Sequence, residues 1–517
     1  MMTKLLSLVT QNKIHSLDKI QEILEKERRK GMRIIHCHGV FDLLHPGHIR
    51  HFKTAKAQGD RLVVSVTPDR FVNKGPGRPV FTELLRLESI AALQDVDYVV
   101  LNDSPDAISA IKRIHPTLYV KGIEYADHAA DVTGKISEEA RAVEECGGSI
   151  FYTDDIVFSS SSLLNRYFDS ITPQMAEFIK LLKSKYSVDG IIQKIDALSK
   201  LKVLIVGDAI IDEYQYTEPL GQSGKGIHMA ARCMDKEVFL GGSLIIANHV
   251  SQYAGNVTLL TAIGKECPYG SFITTTLDPK VKKEFVYLEE TSTLIKKRYL
   301  LKDGKTLSKL FETYSGQEKG LNAKQSSQVV QFLKEKAKDY DLVLVSDFGN
   351  GFSNSQITDA LSDVPSFLAV NTQTNSGNRG FNVITHYRRA DYISLNEPEI
   401  RLAAQDRTSS LEGIAVDISE IMNCPAIAMT KGVHGVACYS RDENYFHIPA
   451  FATNSIDRIG AGDSFLSLSS LCMAGGESLL LSGFVGSIAA ALSVQMIGNQ
   501  EPIKKAALCK FIIRLLK

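Results

Sequence analysis

Short apolar runs alternate with longer amphipathic stretches along most of the chain, a pattern that predicts parallel β-strands joined by helices. In the first third of the chain, the predicted strands are residues 33–37, 62–66, 98–101 and 118–120. The predicted helices there are residues 18–30, 83–93 and 107–114. A glycine-containing turn after the first strand opens a further helix near His48.

The same alternation returns after a lysine-rich stretch, residues 169–199, which we interpret as a helical connector between domains. The strands predicted beyond it are residues 203–206, 342–346, 368–370, 392–394 and 426–429. Residues 294–311 depart from this pattern, because two β-like runs flank residues 302–305. That segment predicts a hairpin, which we interpret as a lid.

A chain of 517 residues is too long for one hydrophobic core, so at least two domains are expected. The predicted division is an N-terminal helical segment at 1–30, an α/β domain at 31–168, a helical linker at 169–199 and a second α/β domain at 200–517.

The amino-acid composition limits the classes of molecule that the protein is expected to bind and the compartment in which it is expected to work. Lys plus Arg and Asp plus Glu are both 59, so the formal net charge is zero, which argues against nucleic acid or an anionic membrane surface as the main partner. No stretch approaches the roughly 18 apolar residues of a membrane span, and the N-terminus lacks the long apolar region of a secretory signal. The eight cysteines form no C-x-x-C pair, which indicates reduced thiols rather than zinc or disulfides. We therefore expect a cytoplasmic protein.

The first candidate site is the string H-G-V-F-D-L-L-H-P-G-H at residues 38–48, which follows a buried strand and opens a helix. The spacing places His45 and His48 side by side on the first helical turn, where the imidazoles and the helix dipole can meet a triphosphate. Gly39 lets the backbone approach the phosphates. The alternative is a pair of ordinary histidines at the start of a helix.

The second candidate site is D-R-I-G-A-G-D-S-F at residues 457–465. Backbone N–H groups of Gly460, Ala461 and Gly462 at a helix start would form an anion hole. Asp463 is then placed to take a proton from an attacking hydroxyl. The alternative is a plain Gly-Ala-Gly turn capped by an aspartate.

The first string resembles the signature of the cytidylyltransferase-like superfamily, and the likeness extends over about residues 31–168. The resemblance implies a Rossmann-like nucleotidylyltransferase domain with His45 and His48 as catalytic residues. It further implies that nucleotide and phosphate contacts come from Gly39, Phe41, Asp42, Lys74, Arg86, Lys121, Ser159, Ser160 and Ser161. Taken alone, the serine run is also compatible with a simple helix N-cap.

Within that superfamily, K-G-x-x-R-P-V and V-K-G-x-x-Y are closest to the adenylyltransferase half of bifunctional heptose-phosphate kinase/adenylyltransferases. Glycerol-phosphate cytidylyltransferases are the alternative, so ATP is favoured over CTP as the nucleotidyl donor. In the bifunctional family the kinase comes first, and we therefore expect the domain order here to be reversed.

The second string resembles a signature of the PfkB/ribokinase carbohydrate kinases, and the likeness covers residues 200–517. It implies a ribokinase-like α/β domain with a small β lid and with Asp463 as catalytic base. The implied nucleotide and phosphate contacts are Asn396, Glu399, Thr430, Gly432, Gly435, Gly460, Ala461 and Gly462, with Glu399 also holding Mg²⁺ through water. The implied sugar contacts are Asp212, Gly241, Gly242, Lys296 and Arg298.

Three departures from the kinase pattern lie in its acceptor half. Ile245 stands where the family has a sugar-contacting asparagine, and residues 371–374 replace an Asp-Pro-Lys-like strand end. Residues 221–229 also lack the Ser-Pro-Glu-Ala-Pro pattern of heptose kinases. Phosphoryl transfer is therefore predicted more firmly than heptose as the acceptor.

The expected function is sequential. The kinase phosphorylates a sugar phosphate with ATP and Mg²⁺, and the transferase couples the resulting 1-phosphate to a nucleotide, which gives an ADP-heptose-like product and pyrophosphate. One alternative keeps the transferase active and makes the kinase domain act on another sugar or serve as a sugar-binding regulatory module. Another is a nucleotide-sensing scaffold. The resemblance also implies a homodimer in which lids pair.

Overall fold

The computed structural model describes residues 12–72, 79–123, 135–153, 172–222, 226–227, 229–289, 291–303, 306–316, 320–378, 380–452 and 455–516. It divides the chain into two compact units, residues 1–172 with 509–517 and residues 173–508. Lys74, Ser159, Ser160 and Ser161 lie outside the described residues. No helix within the described ranges is both long and apolar enough to cross a membrane.

The first unit is built around a parallel sheet of six strands in the order β1-β4-β3-β2-β5-β6. The strands are β1 (Ile14–His15), β2 (Ile34–Gly39), β3 (Arg61–Val66), β4 (Tyr98–Leu101), β5 (Leu118–Gly122) and β6 (Ser149–Thr153). The helices are α1 (Leu17–Arg29), α2 (Pro46–Lys56), α3 (Glu83–Ala91), α4 (Ile108–Ile114) and α5 (Lys135–Glu145). The predicted parallel α/β fold is confirmed, although β1 and β6 were not predicted.

Helix α1 belongs to this unit. Ser16 caps its first turn by accepting a hydrogen bond from the backbone N–H of Lys19 (3.2 Å). Its apolar stripe, including Ile20 and Leu24, is fully buried and packs with Val63 of β3. The N-terminal helical segment predicted at residues 1–30 thus contributes Leu17, Ile20 and Leu24, within its described residues 12–30, to the core of the first unit.

The second unit contains a sheet in the order β10-β9-β7-β13-β14-β15-β16-β17-β18, parallel as far as β16 and antiparallel beyond it. Its strands are β7 (Lys202–Gln222), β8 (Met229–Gly242), β9 (Asn256–Gly264), β10 (Val281–Leu288), β11 (Leu294–Asp303), β12 (Thr306–Ser315), β13 (Leu342–Asp347), β14 (Phe367–Thr372), β15 (Tyr392–Asn396), β16 (Ala426–Thr430), β17 (Val436–Ser440) and β18 (Asn444–Ile448). This mixed sheet confirms the predicted ribokinase-like α/β class.

The helices along this part of the chain are α6 (Pro173–Lys185), α7 (Val188–Ala197), α8 (Ser243–Ser251), α9 (Gly270–Thr276), α10 (Ala323–Lys336), α11 (Ser355–Ser362), α12 (Glu397–Ala404), α13 (Leu411–Ile421), α14 (Ala461–Ala474), α15 (Leu479–Ser493) and α16 (Lys505–Leu516). Helices α6 and α7 cover the predicted linker and pack on the second unit. Phe178 of α6 contacts the rings of Phe451 and Phe484 (centroids 6.0 and 6.1 Å apart), and Lys194 of α7 pairs with Glu477 at 2.6 Å. Burial of an aromatic side chain of this kind stabilises a fold by roughly 1.5–3 kcal/mol.

A second sheet of this unit, in the order β8-β7-β11-β12, contains the hairpin interpreted as a lid and is called the lid sheet. The hairpin predicted at residues 294–311 is confirmed as β11 and β12, which pair antiparallel. Its other two strands were not predicted, because β7 continues past the main sheet and pairs with β8 and β11 there. Residues 209–217 of β7 are buried although four of them are polar, so no simple apolar run marks them.

Candidate functional site

The histidine motif lies at the carboxyl end of β2 and the start of α2. His45 is the N-cap residue of α2, and its Nδ1 accepts a hydrogen bond from the N–H of Gly47 (3.1 Å). The rings of His45 and His48 stack with centroids 3.9 Å apart, as the spacing predicted. Phe41 meets His48 edge-on at 5.4 Å, and a Cβ on Gly39 would lie 2.9 Å from the Phe41 ring. The motif thus packs into one compact turn at the end of a central strand.

Arg86 is fully buried, and its guanidinium is occupied by the protein. It donates to the carbonyls of Val40 (2.5 Å), Thr67 (2.9 Å) and Phe81 (3.0 Å) and pairs with Asp69 at 2.7 Å. In this arrangement Arg86 holds the motif turn against the end of β3 and does not point a free guanidinium at a phosphate. This placement supports a role as a clamp rather than the phosphate contact that the resemblance implies.

Asp42, the acid of the histidine motif, contacts the same segment as Arg86. Its Oδ1 accepts a hydrogen bond from the backbone N–H of Phe81 (3.0 Å), and its side chain is buried. Asp42 and Arg86 therefore fix the same neighbouring segment from two directions, which sets the shape of the turn that carries the histidines.

Lys121 is the penultimate residue of β5, which pairs with β2 in the parallel sheet, so it lies at the same carboxyl edge as the histidine motif. Its ammonium forms a buried ion pair with Glu139 of α5 at 2.9 Å. Glu139 also accepts hydrogen bonds from the Tyr119 hydroxyl (2.9 Å) and the N–H of Ala107 (3.2 Å). Burial acts to raise the pKa of Glu139, but Lys121 and these hydrogen bonds outweigh it and hold the pKa below its ordinary value. Glu139 was not predicted, because only the fold brings α5 to this strand end.

The predicted anion hole lies at the start of α14. Gly460 is its N-cap with φ +83°, and a Cβ there would lie 2.0 Å from Oδ1 of Asn499, so only glycine fits. Asp457 fixes the preceding loop, since its Oδ2 accepts from the Tyr214 hydroxyl (2.7 Å) and from the N–H of Gly498 (2.9 Å). The N–H groups of Ala461 and Gly462 then head a helix of 14 residues, where the dipole favours an anion.

Asp463 lies in the first turn of α14 among four other charged side chains. Burial raises its pKa to about 7, and the carboxylate of Asp212 adds to the rise. The cations of Lys296 and Arg298 act in the opposite direction, and Glu399 contributes a further rise. The structure therefore brings together five of the residues predicted for this site.

Asp212 and Arg298 form a buried ion pair across β7 and β11, and Arg298 Nε lies 3.5 Å from Glu312 of β12. A Cβ on Gly241 would lie 2.6 Å from Oδ2 of Asp212, so the first glycine of the pair leaves room for this carboxylate. Gly242 has φ +58° and turns the chain from β8 into α8. The two glycines therefore shape the wall beside Asp212.

Lys296 is only 5% exposed and lies opposite Asp212 in the parallel pairing of β11 with β7. Its ammonium is 5.5 Å from the ring centroids of both Tyr314 and Phe348. Burial lowers its pKa, while Asp212 acts to raise it. Within the described part of the chain, this ammonium has no salt bridge. It is thus a buried cation that lies against two aromatic rings.

Asn396 and Glu399 form a capping box at the start of α12. Glu399 accepts from the N–H groups of Asn396 (2.8 Å) and Thr374 (3.2 Å), and burial raises its pKa to about 7. Each carboxylate oxygen retains a second lone pair, which suits a water-mediated contact with Mg²⁺ but not a closed metal site. No cluster of three or more His, Cys, Asp or Glu that could hold a metal occurs within the described ranges.

The turn predicted to bind nucleotide follows β16. Thr430 ends that strand, Gly432 and Gly435 have φ +57° and +80°, and the N–H of Lys431 donates to Gly435 O at 2.8 Å. A Cβ on Gly435 would lie 2.1 Å from the carbonyl of Ile448. The second glycine is therefore required by close packing against the end of β18.

Ile245 is 1% exposed, within a wholly buried helix α8. Among the other departures, Asn371 donates to the carbonyl of Ser394 at 2.7 Å and links β14 to β15.

Two buried acids, Asp208 and Asp347, and the aromatic Phe348 lie near this edge of the sheet and were not predicted. A signal was present, since Asp208 and Asp347 each follow an apolar strand run, and Asp347 also precedes a glycine-containing turn.

Family models match both units. Residues 36–166 match the cytidylyltransferase-like family, and residues 200–506 match the pfkB family carbohydrate kinases. The second match covers more than half of the chain.

Curated relatives called "Bifunctional protein HldE" match part of the chain. That of Gluconobacter oxydans is 36% identical over 152 residues, 29% of this chain and 30% of the relative. That of Methylococcus capsulatus is 40% identical over 141 residues, 27% of this chain and 28% of the relative. The chain thus matches less than a third of these relatives' own length. The matches give no support to the reversed domain order expected above, and that expectation is not retained.

Solved structures share the fold of the second unit. Phosphofructokinase-2 from Escherichia coli in complex with potassium has a TM-score of 0.51 at 14% identity, covering 61% of this chain and all of that one. The same enzyme with substrates and products has a TM-score of 0.50 at 15% identity with the same coverage. At this identity the likeness concerns the fold alone.

Proposed function

The chain belongs to the PfkB family of carbohydrate kinases, and from this premise we propose that it is a bifunctional enzyme that phosphorylates a sugar phosphate and then transfers a nucleotidyl group to the product. The observation that carries the proposal is Asp463, a carboxyl group with a pKa raised to about 7 by burial, beside a glycine-bounded helix start. The cytidylyltransferase-like match to residues 36–166 supports the second activity.

In the kinase reaction, the acceptor hydroxyl oxygen attacks the γ-phosphorus of ATP. The bond to the ADP oxygen breaks, and the hydroxyl proton passes to Asp463. A carboxylate whose pKa lies at about 7 is well matched to this proton transfer at neutral pH. The N–H groups of Ala461 and Gly462 hold the transferred phosphate, and Mg²⁺, which neutralises the triphosphate, would be contacted by Glu399 through water.

The acceptor is proposed to be anionic because of Lys296. An ammonium buried without a carboxylate partner is costly, and the cost is offset when an anion binds. Arg298, on the same face of β11, is already paired with Asp212, so Lys296 is the better candidate for a phosphate group of the acceptor. The heptose 7-phosphate-like acceptor implied by the sequence resemblance carries such a phosphate group and fits this requirement.

In the transferase reaction, an oxygen of the sugar 1-phosphate attacks the α-phosphorus of a nucleoside triphosphate, and pyrophosphate leaves. The stacked His45 and His48 stabilise the charge that develops on the phosphates, with Lys121 at the neighbouring strand end. ATP is the favoured donor and CTP the alternative. The product is then an ADP-heptose-like activated sugar.

Mass spectrometry of products tests this function. The purified full chain is incubated with Mg²⁺, ATP or CTP, and a panel of sugars and sugar phosphates. We expect a bisphosphate from a sugar phosphate, followed by a nucleotide sugar and pyrophosphate. The contrary outcome is that no acceptor gives a kinase product and that nucleotide sugar forms only from a supplied sugar 1-phosphate. That outcome would favour the alternative in which the second domain is a regulatory sugar-binding module. Ile245 and residues 371–374, which depart from the kinase pattern, are the reason for considering this alternative.

Lys296→Met should weaken binding of the acceptor selectively. Methionine keeps the packing between the two rings but removes the charge, and a charge-assisted contact to phosphate contributes about 1.5–3 kcal/mol. Steady-state kinetics should therefore show a KM for the sugar phosphate about 10- to 100-fold higher, with the KM for ATP little changed.

The matched control is Lys297→Met, the next residue on β11, whose ammonium points to the other face and pairs with Glu213 at 2.8 Å. It should leave the acceptor KM near the wild-type value. Equal effects of both variants, or an unchanged KM in Lys296→Met, would contradict the assignment of Lys296 to the acceptor phosphate.

A further inference from the structure

The two unpredicted buried acids near the kinase site, Asp208 and Asp347, lie at the carboxyl ends of neighbouring strand segments. Asp208 ends the part of β7 that pairs within the main sheet, and Asp347 ends β13. Both are almost completely buried, at 1% and 2% exposure. Buried carboxylates are retained in a fold when they are hydrogen-bonded, so their partners indicate their role.

Asp208 binds three backbone amides of a single loop, residues 348–352. It accepts hydrogen bonds from the N–H groups of Phe348 (2.8 Å), Asn350 (3.4 Å) and Phe352 (3.2 Å). The loop turns through two left-handed glycines, Gly349 with φ +65° and Gly351 with φ +94°. A loop with this backbone freedom depends on side chains for its shape, and one carboxylate supplies three of its contacts.

Further contacts fix Phe348 from the other side. Its carbonyl accepts from the side-chain amides of Asn375 (2.8 Å) and Asn378 (3.2 Å). Asp347 accepts from the N–H of Gly349 at 2.9 Å. Both backbone polar groups of Phe348 are therefore held by side chains from outside its loop.

The ring of Phe348 is the part of this loop that reaches the candidate kinase site. It packs with Ile210 of β7 and Leu294 of β11, and its centroid is 5.5 Å from the ammonium of Lys296. The loop thus places one of the two aromatic rings that lie against the buried cation.

We propose that Asp208 is a positioning residue of the kinase: by holding residues 348–352 it keeps the Phe348 ring against Lys296, and so sets the affinity for an anionic acceptor. The inference rests on the proposed function, in which Lys296 binds the acceptor phosphate. Asp208 itself contacts neither substrate.

The charges around Asp208 give this role a dependence on pH. Burial raises the pKa of Asp208 to about 7, and the neighbouring Asp347 adds to the rise against the three amide hydrogen bonds. The other ionisable groups that face the pair are Tyr387, which donates to Asp347 at 2.9 Å, and Lys296. Burial raises the pKa of Asp347 as well.

The direction of the pH dependence follows from the linkage between protonation of Asp208 and folding. The unfolded aspartate loses its proton near pH 4, whereas folded Asp208, with its raised pKa, keeps the proton until about pH 7. The stability that this proton provides is full below about pH 4 and is lost as the pH rises through about 7. Ionisation of Asp208 then adds a buried negative charge beside the Asp347 carboxyl group under the loop, so we expect the acceptor KM to rise on the alkaline side of about pH 7.

The test is Asp208→Asn, studied by steady-state kinetics with the sugar phosphate between about pH 6 and pH 8.5. Asparagine keeps the shape and one acceptor oxygen but cannot ionise. Losing part of the amide contacts should raise the acceptor KM about 3- to 10-fold at pH 6, and the further alkaline rise seen in the wild type should be absent. The kcat at saturation and the KM for ATP should stay near wild type. The matched control is Asp363→Asn, an exposed acid on the same unit.

Hydrogen exchange gives a second readout that needs no substrate. The amides of residues 348–352 should exchange faster in Asp208→Asn than in the wild type. Faster exchange with an unchanged acceptor KM and an unchanged pH profile would overturn the proposal, since Asp208 would then be only structural. If the wild type phosphorylates no sugar phosphate, the proposed function fails, whatever the exchange data show.

Phe348→Leu provides a variant that leaves both acids in place. Leucine fills the apolar contacts with Ile210 and Leu294 but removes the ring face from Lys296. A similar rise in the acceptor KM, with kcat retained, would support the proposal even if Asp208→Asn does not fold. An unchanged acceptor KM in Phe348→Leu would overturn it.

Discussion

Asp463→Asn is expected to lose sugar phosphorylation by about two to four orders of magnitude while binding ATP as the wild type does. The isosteric amide keeps the shape of the first turn of α14 but cannot accept the hydroxyl proton. The amides that would hold the transferred phosphate belong to the backbone and are unaffected. Coupled measurement of ADP release, together with calorimetric titration of ATP, checks both halves of this expectation.

The pH profile of the wild-type kinase gives an independent check on the same carboxyl group. Because burial raises the pKa of Asp463 to about 7, the base is ionised above this pH, and kcat should fall about tenfold per pH unit below it. In Asp463→Asn, the residual kcat should not show this fall at acidic pH. Pyrophosphate release from a supplied sugar 1-phosphate should continue at the wild-type rate. A variant that phosphorylates within about tenfold of wild type would reduce Asp463 to a residue that shapes the helix start.

His45→Ala or His48→Ala is expected to lower pyrophosphate release by about two to three orders of magnitude while leaving kinase turnover intact. The two rings stack 3.9 Å apart at the start of α2, where charge would develop in the proposed nucleotidyl transfer. The measurement is pyrophosphate release from ATP and a sugar 1-phosphate, run beside the kinase assay on the same preparation.

A suitable control is His51→Ala, on the same helix, whose imidazole contacts the Thr153 hydroxyl at 2.8 Å. The rate of pyrophosphate release by His51→Ala should stay close to that of the wild type. Loss of both activities in His45→Ala, with circular dichroism showing an intact fold, would contradict the assignment of the two reactions to separate sites.

Much of the fold could be predicted because parallel strands buried on both faces are marked by apolar runs. The strand predicted at residues 98–101 coincides with β4, and that predicted at 392–394 falls within β15. The lid shows the limit of this signal. In β7, the polar residues Asp212, Glu213 and Gln215 are buried because the strand pairs with β8 and β11. This part of the strand therefore lacks the apolar run by which the other buried strands were predicted.

The site was predictable to the extent that it is local in sequence. The contact between His45 and His48 and the helix start at Gly460 both follow from spacing over a few residues. The partners of Lys121 and Phe348 come from distant segments, Glu139 and Asp208, and no local pattern links them. Arg86 was predicted to contact phosphate from its position in the sequence. That position does not indicate that four protein groups already bind the guanidinium.

The continuity of β7 constrains how this enzyme can diverge. One unbroken strand of 21 residues carries Asp208 in the main sheet and Asp212 in the lid. Because side chains alternate between faces, inserting a single residue between these two acids would turn Asp212 and Tyr214 away from Arg298 and toward the opposite surface. A change in the length of β7 between Asp208 and Asp212 would therefore separate Asp212 from Arg298, whereas point substitutions on this face of the lid sheet leave the register intact.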